Sequence, residues 1–276
     1  MRQVVVVTDS SGNLPPRLIP ALGIRVVPIV LVLGGHSYRD GSEITASDVY
    51  RWLGHGGHSP TTSAPSVGDF VRTYTRAAQQ ASGIVPIHLS PKLSATYEAA
   101  AAAGELVDAV PFRVIACPTA AMGLGFVVLE AARAAAAGAD LDQVVARAEE
   151  IAPRVHLLAT IGTLEYLHRG GRIGGAASLL GAALQIKPVL SLADGQVAVL
   201  ARPRSKASAV HTMLQQVEDI SQGHPIHAAV LHADVPEEAE NLRQRVAARF
   251  DCRELYVTEL TPVMGAHTGP GVLGIA

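Results

Sequence analysis

Three short stretches hold the side chains best suited to chemistry. Near the end of the chain, Gly265-Ala266-His267-Thr268-Gly269-Pro270-Gly271 sets an imidazole and a hydroxyl among three glycines and a proline. Thr62-Ser63 stand shortly before Val67, Phe70, Val71 and Tyr74, whose i, i+3, i+4, i+7 spacing marks an amphipathic helix. Ser94 precedes an alanine-rich helical run and is placed to act as its N-cap. Hydroxyls at helix N-termini stand beside free N–H groups and the positive end of the helix dipole, an environment that suits a carboxylate or a phosphate. The same residues allow other readings. Ser94 and His267 could form a nucleophile and base, which would also need an orienting acid. Each serine or threonine could simply cap a helix.

Other groups are less specific. Arg169-Gly170-Gly171-Arg172-Ile173-Gly174-Gly175 reads as a flexible basic loop, fit for a phosphate, for a partner or for solvent alone. His55 and His58 lie in a glycine-rich loop with no cysteine or acid cluster beside them, so loop histidines are favoured over metal ligands. Asp9 follows the first strand, where capping of the next turn is favoured over a catalytic role. Gly269-Pro270-Gly271-Val272-Leu273-Gly274 matches G-x-G-x-x-G by letter, but no helix can follow before Ala276, so it is rejected as a dinucleotide fingerprint. Cys117 and Cys252 are far apart and suggest neither a disulfide framework nor a zinc site.

The elements that must position these residues follow from periodicity. Val4 to Val7 form a continuous β-branched run, as in a strand covered on both faces. Residues 24–33 read as a second strand. Residues 84–89 read as a third, with Pro86 pointing to an irregular or edge position. Strand and helix alternate to about residue 150, the pattern of a parallel sheet with crossover helices. Beyond it, residues 176–184 read as a helix. Asp194-Gly195 predicts a type I′ hairpin between 187–193 and 196–201. A helix, strand, helix, strand series follows, and residues 265–271 read as a loop at the end of the last strand, 255–260. The expectation is an α/β protein of two domains. Residues 1–153 form an N-terminal three-layer α/β domain with a mainly parallel sheet, and residues 154–276 a C-terminal α/β domain with a mixed sheet.

Bulk properties exclude several classes. The chain has 276 residues, 49% hydrophobic but only 4% aromatic, so its core is aliphatic. The net charge of −2 offers no electrostatic case for nucleic acid. Mean hydropathy is +0.27, yet the longest apolar run, 26–33, is broken by Pro28 and far too short to span a bilayer. The N-terminus reads directly as a strand, without a signal-peptide pattern. A cytoplasmic protein without stable membrane insertion is expected.

Taken together, the short segments resemble the DegV family of bacterial fatty-acid-binding proteins. The matching pieces are Thr8-Asp9-Ser10, Thr62-Ser63-Ala64-Pro65-Ser66, Leu93-Ser94-Ala95-Thr96-Tyr97, Met122-Gly123-Leu124-Gly125, Gly171-Arg172-Ile173, Lys187-Pro188-Val189 and His267-Thr268-Gly269-Pro270-Gly271. They occur in family order over nearly the whole length. The resemblance implies two α/β domains holding one long-chain fatty acid in an interior tunnel, with no catalysis and no cofactor of their own. It implies that Thr62 and Ser94 hydrogen-bond the carboxylate, with His267 close by. It also implies a partner, a separate ATP-dependent fatty acid kinase that makes an acyl phosphate and is met by Arg172 and Arg204. Ala95 departs from the family's usual glycine, Cys117-Pro118-Thr119 from its aspartate-serine pair, and Pro91 is unusual before Leu93. A serine-dependent acyl hydrolase and a binding protein for a small phosphorylated metabolite are the alternatives.

Overall fold

The computed structural model describes residues 3–56 and 59–276, the side chains of 182–185 excepted. Strand β1 (Val5–Asp9) leads through a 3-10 turn (Ser10–Gly12) to helix α1 (Leu18–Leu22) and β2 (Arg25–Val27). β3 (Val30–Leu33), β4 (His36–Arg39), α2 (Ala46–Gly54) and β5 (Thr61–Ser63) come next. Then follow α3 (Val67–Ala78), β6 (Ile84–His88), α4 (Thr96–Gly104), β7 (Ile115–Ala116), α5 (Ala121–Ala136) and α6 (Leu141–Ile151). The remainder contains β8 (Leu158–Thr160), α7 (Glu165–Arg169), a 3-10 run (Gly174–Gln185), β9 (Val189–Ala193) and β10 (Gln196–Ala201). It ends with α8 (Lys206–Ser221), β11 (Ile226–His232), α9 (Pro236–Arg249), β12 (Cys252–Glu259), α10 (Pro262–Thr268) and β13 (Leu273–Ile275).

The first sheet has the order β2-β1-β6-β7 and is parallel throughout. Alternation along β1 explains the three layers. Val5 and Val7 pack on Phe70 and Tyr74 of α3 and on Ala100 and Ala103 of α4. Val4 and Val6 belong to the core built with Met122, Leu124 and Leu129 of α5. Pro86 predicts an irregular or edge position. It lies instead in β6, opposite Val7 and fully covered. Ile84 and His88, two residues to either side, bond with the irregular 111–117 segment, so the N–H that proline lacks faces that short edge and not β1.

The expected strand at 24–33 is also corrected. Pro28 divides it, so that β2 joins the first sheet while β3 enters a separate antiparallel sheet, β4-β3-β5. Thr62 therefore sits on a strand opposite Leu31. It is not at a helix N-terminus, since α3 begins later and is capped by Ser66.

The second sheet, β10-β9-β8-β13-β11-β12, is mixed: only β11 and β12 run parallel. The Asp194-Gly195 turn forms as read, with φ of 48° and 75°, both in the left-handed region that a type I′ turn requires. The helix expected over 176–184 forms, as a 3-10 helix that runs from Gly174 to Gln185; its first residue, Gly174, has φ +50° and lies so close to β10 that a Cβ would stand 2.5 Å from the Val197 carbonyl oxygen. One expectation fails here. The loop expected at 265–271 is largely helix. Pro262 opens α10 at the position where proline's missing N–H is not needed, and Gly269 ends it with φ 71°. The last residues are not a tail, because β13 fills the centre of the sheet between β8 and β11. α8 and α9 cover one face of this sheet. The other face contributes Leu190, Ala229 and Leu231 to the same core as α5. Among the described residues no helix is long and apolar enough to cross a membrane.

Candidate functional site

The shared core is hollow. Between the second sheet and the first-half elements lies a cavity with about 1030 Å³ of empty space, its mouth included. Leu157, Ala159, Leu190 and Leu231 form its sheet wall; Leu89, Ala120 and Ala121 face them; Val263 and Met264 of α10 close a side. The β9–β10 hairpin adds Leu192 and Val197. Of 24 lining residues, seventeen are apolar and none of these is aromatic, which suits a flexible aliphatic ligand better than a phosphorylated metabolite.

The polar lining comprises Ser11, Thr62, Ser94, Arg172, Ser191, His267 and Thr268. Thr62, Ser94, Arg172 and His267, separated widely in sequence, thus meet on one cavity. Thr62 Oγ1 and His267 Nε2 share a hydrogen bond of 2.8 Å. Ser94 does not cap α4, which has Ala95 at its cap position without a side-chain bond; its hydroxyl instead pairs with Thr96 Oγ1 at 2.8 Å. Arg172 is tied down by backbone: Nε donates to Leu93 O at 3.0 Å and Nη1 to Gly170 O at 2.6 Å. It therefore joins the Ser94 loop to the α7 end. Arg204 stands apart on the exposed segment before α8.

His267 is held tightly. Its Nδ1 is buried without a hydrogen-bond partner, and Gly170 lies so close that a Cβ there would be 2.3 Å from it. Burial, and then the charge of Arg172, push its pKa down from 6.5 to about 4. The imidazole is neutral at pH 7 and can donate from one nitrogen only. If Nε2 carries the proton, it donates to Thr62 Oγ1 and frees the Thr62 hydroxyl to donate into the cavity.

The hydrolase alternative finds no support in this arrangement. The Ser94 hydroxyl is engaged by Thr96 and His267 by Thr62, so His267 is not paired with the nucleophile. Nδ1, which an orienting acid would hold in a triad, has no partner. Asp9 does cap the turn after β1, accepting from Ser11 N at 2.9 Å. It also does something the sequence did not reveal. Its other oxygen accepts from His88 Nδ1 at 2.8 Å, and both side chains are completely buried beneath Ser11 of the cavity wall. Only the pairing of β1 with β6 brings them together. Of the loop histidines, His55 bonds back to Arg51 O at the end of α2, while His58 lies outside the described residues.

Similarity to known proteins is extensive. A sequence model of a family described as an uncharacterised protein, DegV family, matches residues 3–276. A DegV domain-containing protein of Streptomyces coelicolor is 40% identical over 276 residues, covering 99% of this chain and 98% of that protein. One from Mycobacterium tuberculosis is 38% identical over 276 residues, covering 99% and 96%. Among solved structures, a DegV family protein from Thermus thermophilus, described by its fatty acid binding, superposes with a TM-score of 0.94 at 37% identity, covering 99% of this chain and 98% of that one. DegV from Bacillus subtilis, described as a fatty acid binding protein, superposes with a TM-score of 0.91 at 29% identity, covering 100% and 98%.

Proposed function

Because this chain belongs to the DegV family, we propose that it binds one long-chain fatty acid in the cavity and presents the carboxylate to a separate ATP-dependent kinase. The observation that carries the binding step is the aliphatic cavity that meets the Thr62–His267 pair. Its chemistry suits an amphiphile with one small anionic end. Burial of methylene groups is worth about 0.8 kcal/mol each, so an acyl chain of roughly 15 contributes on the order of 12 kcal/mol before binding costs. Affinity then needs few polar contacts, but the buried carboxylate must be satisfied.

Thr62 and Ser94 supply neutral hydroxyl donors. His267, neutral, donates from Nε2 to Thr62 and so turns the threonine proton toward the ligand. The Arg172 charge stands nearby, with two of its N–H groups already committed to backbone carbonyls. It attracts the anion without a fork that would occupy both carboxylate oxygens. A carboxylate oxygen keeps a free lone pair to attack the γ-phosphorus of ATP on the kinase, forming the acyl phosphate and releasing ADP. Arg204, exposed, and Arg172, half-buried at the site, are the positions offered to that partner. The protein supplies the bound nucleophile and its orientation, and the kinase supplies the phosphoryl group.

The test is mass spectrometry of what the purified protein releases on denaturation. A stoichiometric long-chain fatty acid is expected. Release of a phosphorylated metabolite, together with no uptake of added palmitate, would overturn the assignment.

A further inference from the structure

We propose that Asn13 and Asp40, which lie outside the cavity, are positioning residues for its head-group end: from the first half of the chain they cap the start of α10 and so set His267 against Thr62. The inference rests on the fatty-acid reading for its functional consequence, though not for its geometry.

A helix of seven residues is too short to hold its place alone. Its N-terminal N–H groups need partners, and its own N-cap residue, Thr261, supplies no side-chain bond. Both available partners come from distant sequence. Thr261 N donates to Asn13 Oδ1 at 2.9 Å, and Val263 N donates to Asp40 Oδ1 at 3.0 Å; Pro262 between them has no N–H to give. Asn13 also donates from Nδ2 to Glu259 O at 2.9 Å, gripping the chain on both sides of the turn into α10. It does so from a left-handed conformation, φ 53°, that asparagine tolerates well.

Asp40 is only 4% exposed. Its backbone N–H donates to Ile29 O at 2.9 Å, which anchors it at the end of the β3–β4 hairpin. The same small sheet carries Thr62 on β5. α10 is thus fastened to one sheet twice, by Asp40 at Val263 and by Thr62 at His267. The two anchored positions are four residues apart, about 6 Å along the axis. On the far side the helix has no room to slide, since a Cβ on Gly265 would stand 2.6 Å from the Tyr50 hydroxyl. Burial raises the Asp40 pKa, while the Ser10 hydroxyl and the Val263 N–H pull it down. Oδ1 accepts from Val263 whether or not the acid is ionised. The needed property is an acceptor at this point, not a charge, and asparagine can provide it.

The experiment compares Asp40→Ala, Asp40→Asn and Asn13→Ala with a control, Val246→Ala, in the separate core under α9. Palmitate affinity is measured by calorimetry, stability by thermal unfolding, and the His267 side chain by its long-range 1H–15N imidazole correlation. Asp40→Ala and Asn13→Ala are expected to weaken palmitate binding about tenfold, the size of one lost hydrogen bond, and to move the His267 Nε2 resonance. Asp40→Asn is expected to stay within about twofold of the parent on both readouts, and Val246→Ala to lose stability with an unchanged Kd. If Asp40→Ala does not fold, Asn13→Ala and Asp40→Asn carry the test. An unmoved His267 resonance with parental affinity in the alanine variants overturns the proposal, as does an equal affinity loss in Val246→Ala at matched stability. Failure of the parent protein to bind palmitate would instead overturn the fatty-acid reading, with the His267 resonance still reporting on the capping.

Discussion

Thr62→Val isolates the hydroxyl on which the head-group argument turns. Valine keeps the branched shape and the strand preference of threonine on β5 and removes only Oγ1 and its proton. Without a ligand, His267 loses the 2.8 Å bond at Nε2, and its Nδ1 is already unpartnered. Leaving a buried polar group unsatisfied costs roughly 1–3 kcal/mol, a fall of a few degrees in Tm for a chain of this length. With a carboxylate bound, the site loses one hydrogen bond to a charged group, worth about 1.5–3 kcal/mol, so Kd should rise roughly tenfold to 150-fold. Binding should persist, because the acyl chain supplies most of the gross free energy, on the order of 12 kcal/mol. Titration calorimetry with palmitate measures this directly, and Thr62→Ser, which restores the hydroxyl, should return affinity to within a few-fold of the parent. Parental affinity in Thr62→Val, or an equal loss in Thr62→Ser, would refute the assignment of Thr62 as a carboxylate donor.

Three further outcomes are expected. Ser94→Ala removes the other hydroxyl donor, so it should weaken fatty acid binding by about tenfold or more and, at saturating fatty acid, lose acyl phosphate formation in an assay coupled to a fatty acid kinase; parental turnover would count against its role in orienting the carboxylate. Gly170→Ala places a methyl 2.3 Å from His267 Nδ1, so it should displace the imidazole and weaken palmitate binding by at least about tenfold while the far end of the cavity is unchanged; an unaltered Kd would show that the ring position is immaterial. The third concerns acid. His267 titrates near 4 in the fold against 6.5 when free, so between these values the unfolded chain holds a proton that the folded one refuses, and stability should fall as pH drops from 6.5 toward 4. The loss is at most about 3 kcal/mol. It should be smaller in His267→Gln than in the parent when both are unfolded by urea at pH 7 and pH 4.5, and identical pH slopes would contradict it.

Amphipathic spacing, β-branched runs and turn chemistry are local properties, and they were legible. β1, which takes in Val5–Val7 of the valine run and continues to Asp9, α3 and the Asp194-Gly195 hairpin form where periodicity and φ preferences placed them, because neighbours in sequence alone decide those features. The choice of Thr62, Ser94 and His267 came from residue type and family resemblance, and the fold brings all three to one cavity. What failed were inferences about the company these residues keep. Pro28 looked like an interruption within one strand, yet it sends β2 and β3 into different sheets. Ser94 looked like a cap, yet its hydroxyl turns to Thr96. The glycines around His267 looked like loop, yet Asn13 and Asp40 supply from far away the caps that let a seven-residue helix exist.

By itself, then, the sequence determined the α/β pattern, an aliphatic and weakly charged chain, and the candidate head-group residues. Only the tertiary structure decided that those residues line one hollow in the core, that Asp9 and His88 pair beneath its wall, and that β13 closes the centre of the second sheet. The physical reason is range. Propensity and periodicity act over a few residues, whereas a cavity is the space left when distant layers pack, and a hydrogen bond such as Thr62 to His267 spans 205 positions of chain that only the completed fold brings within 2.8 Å.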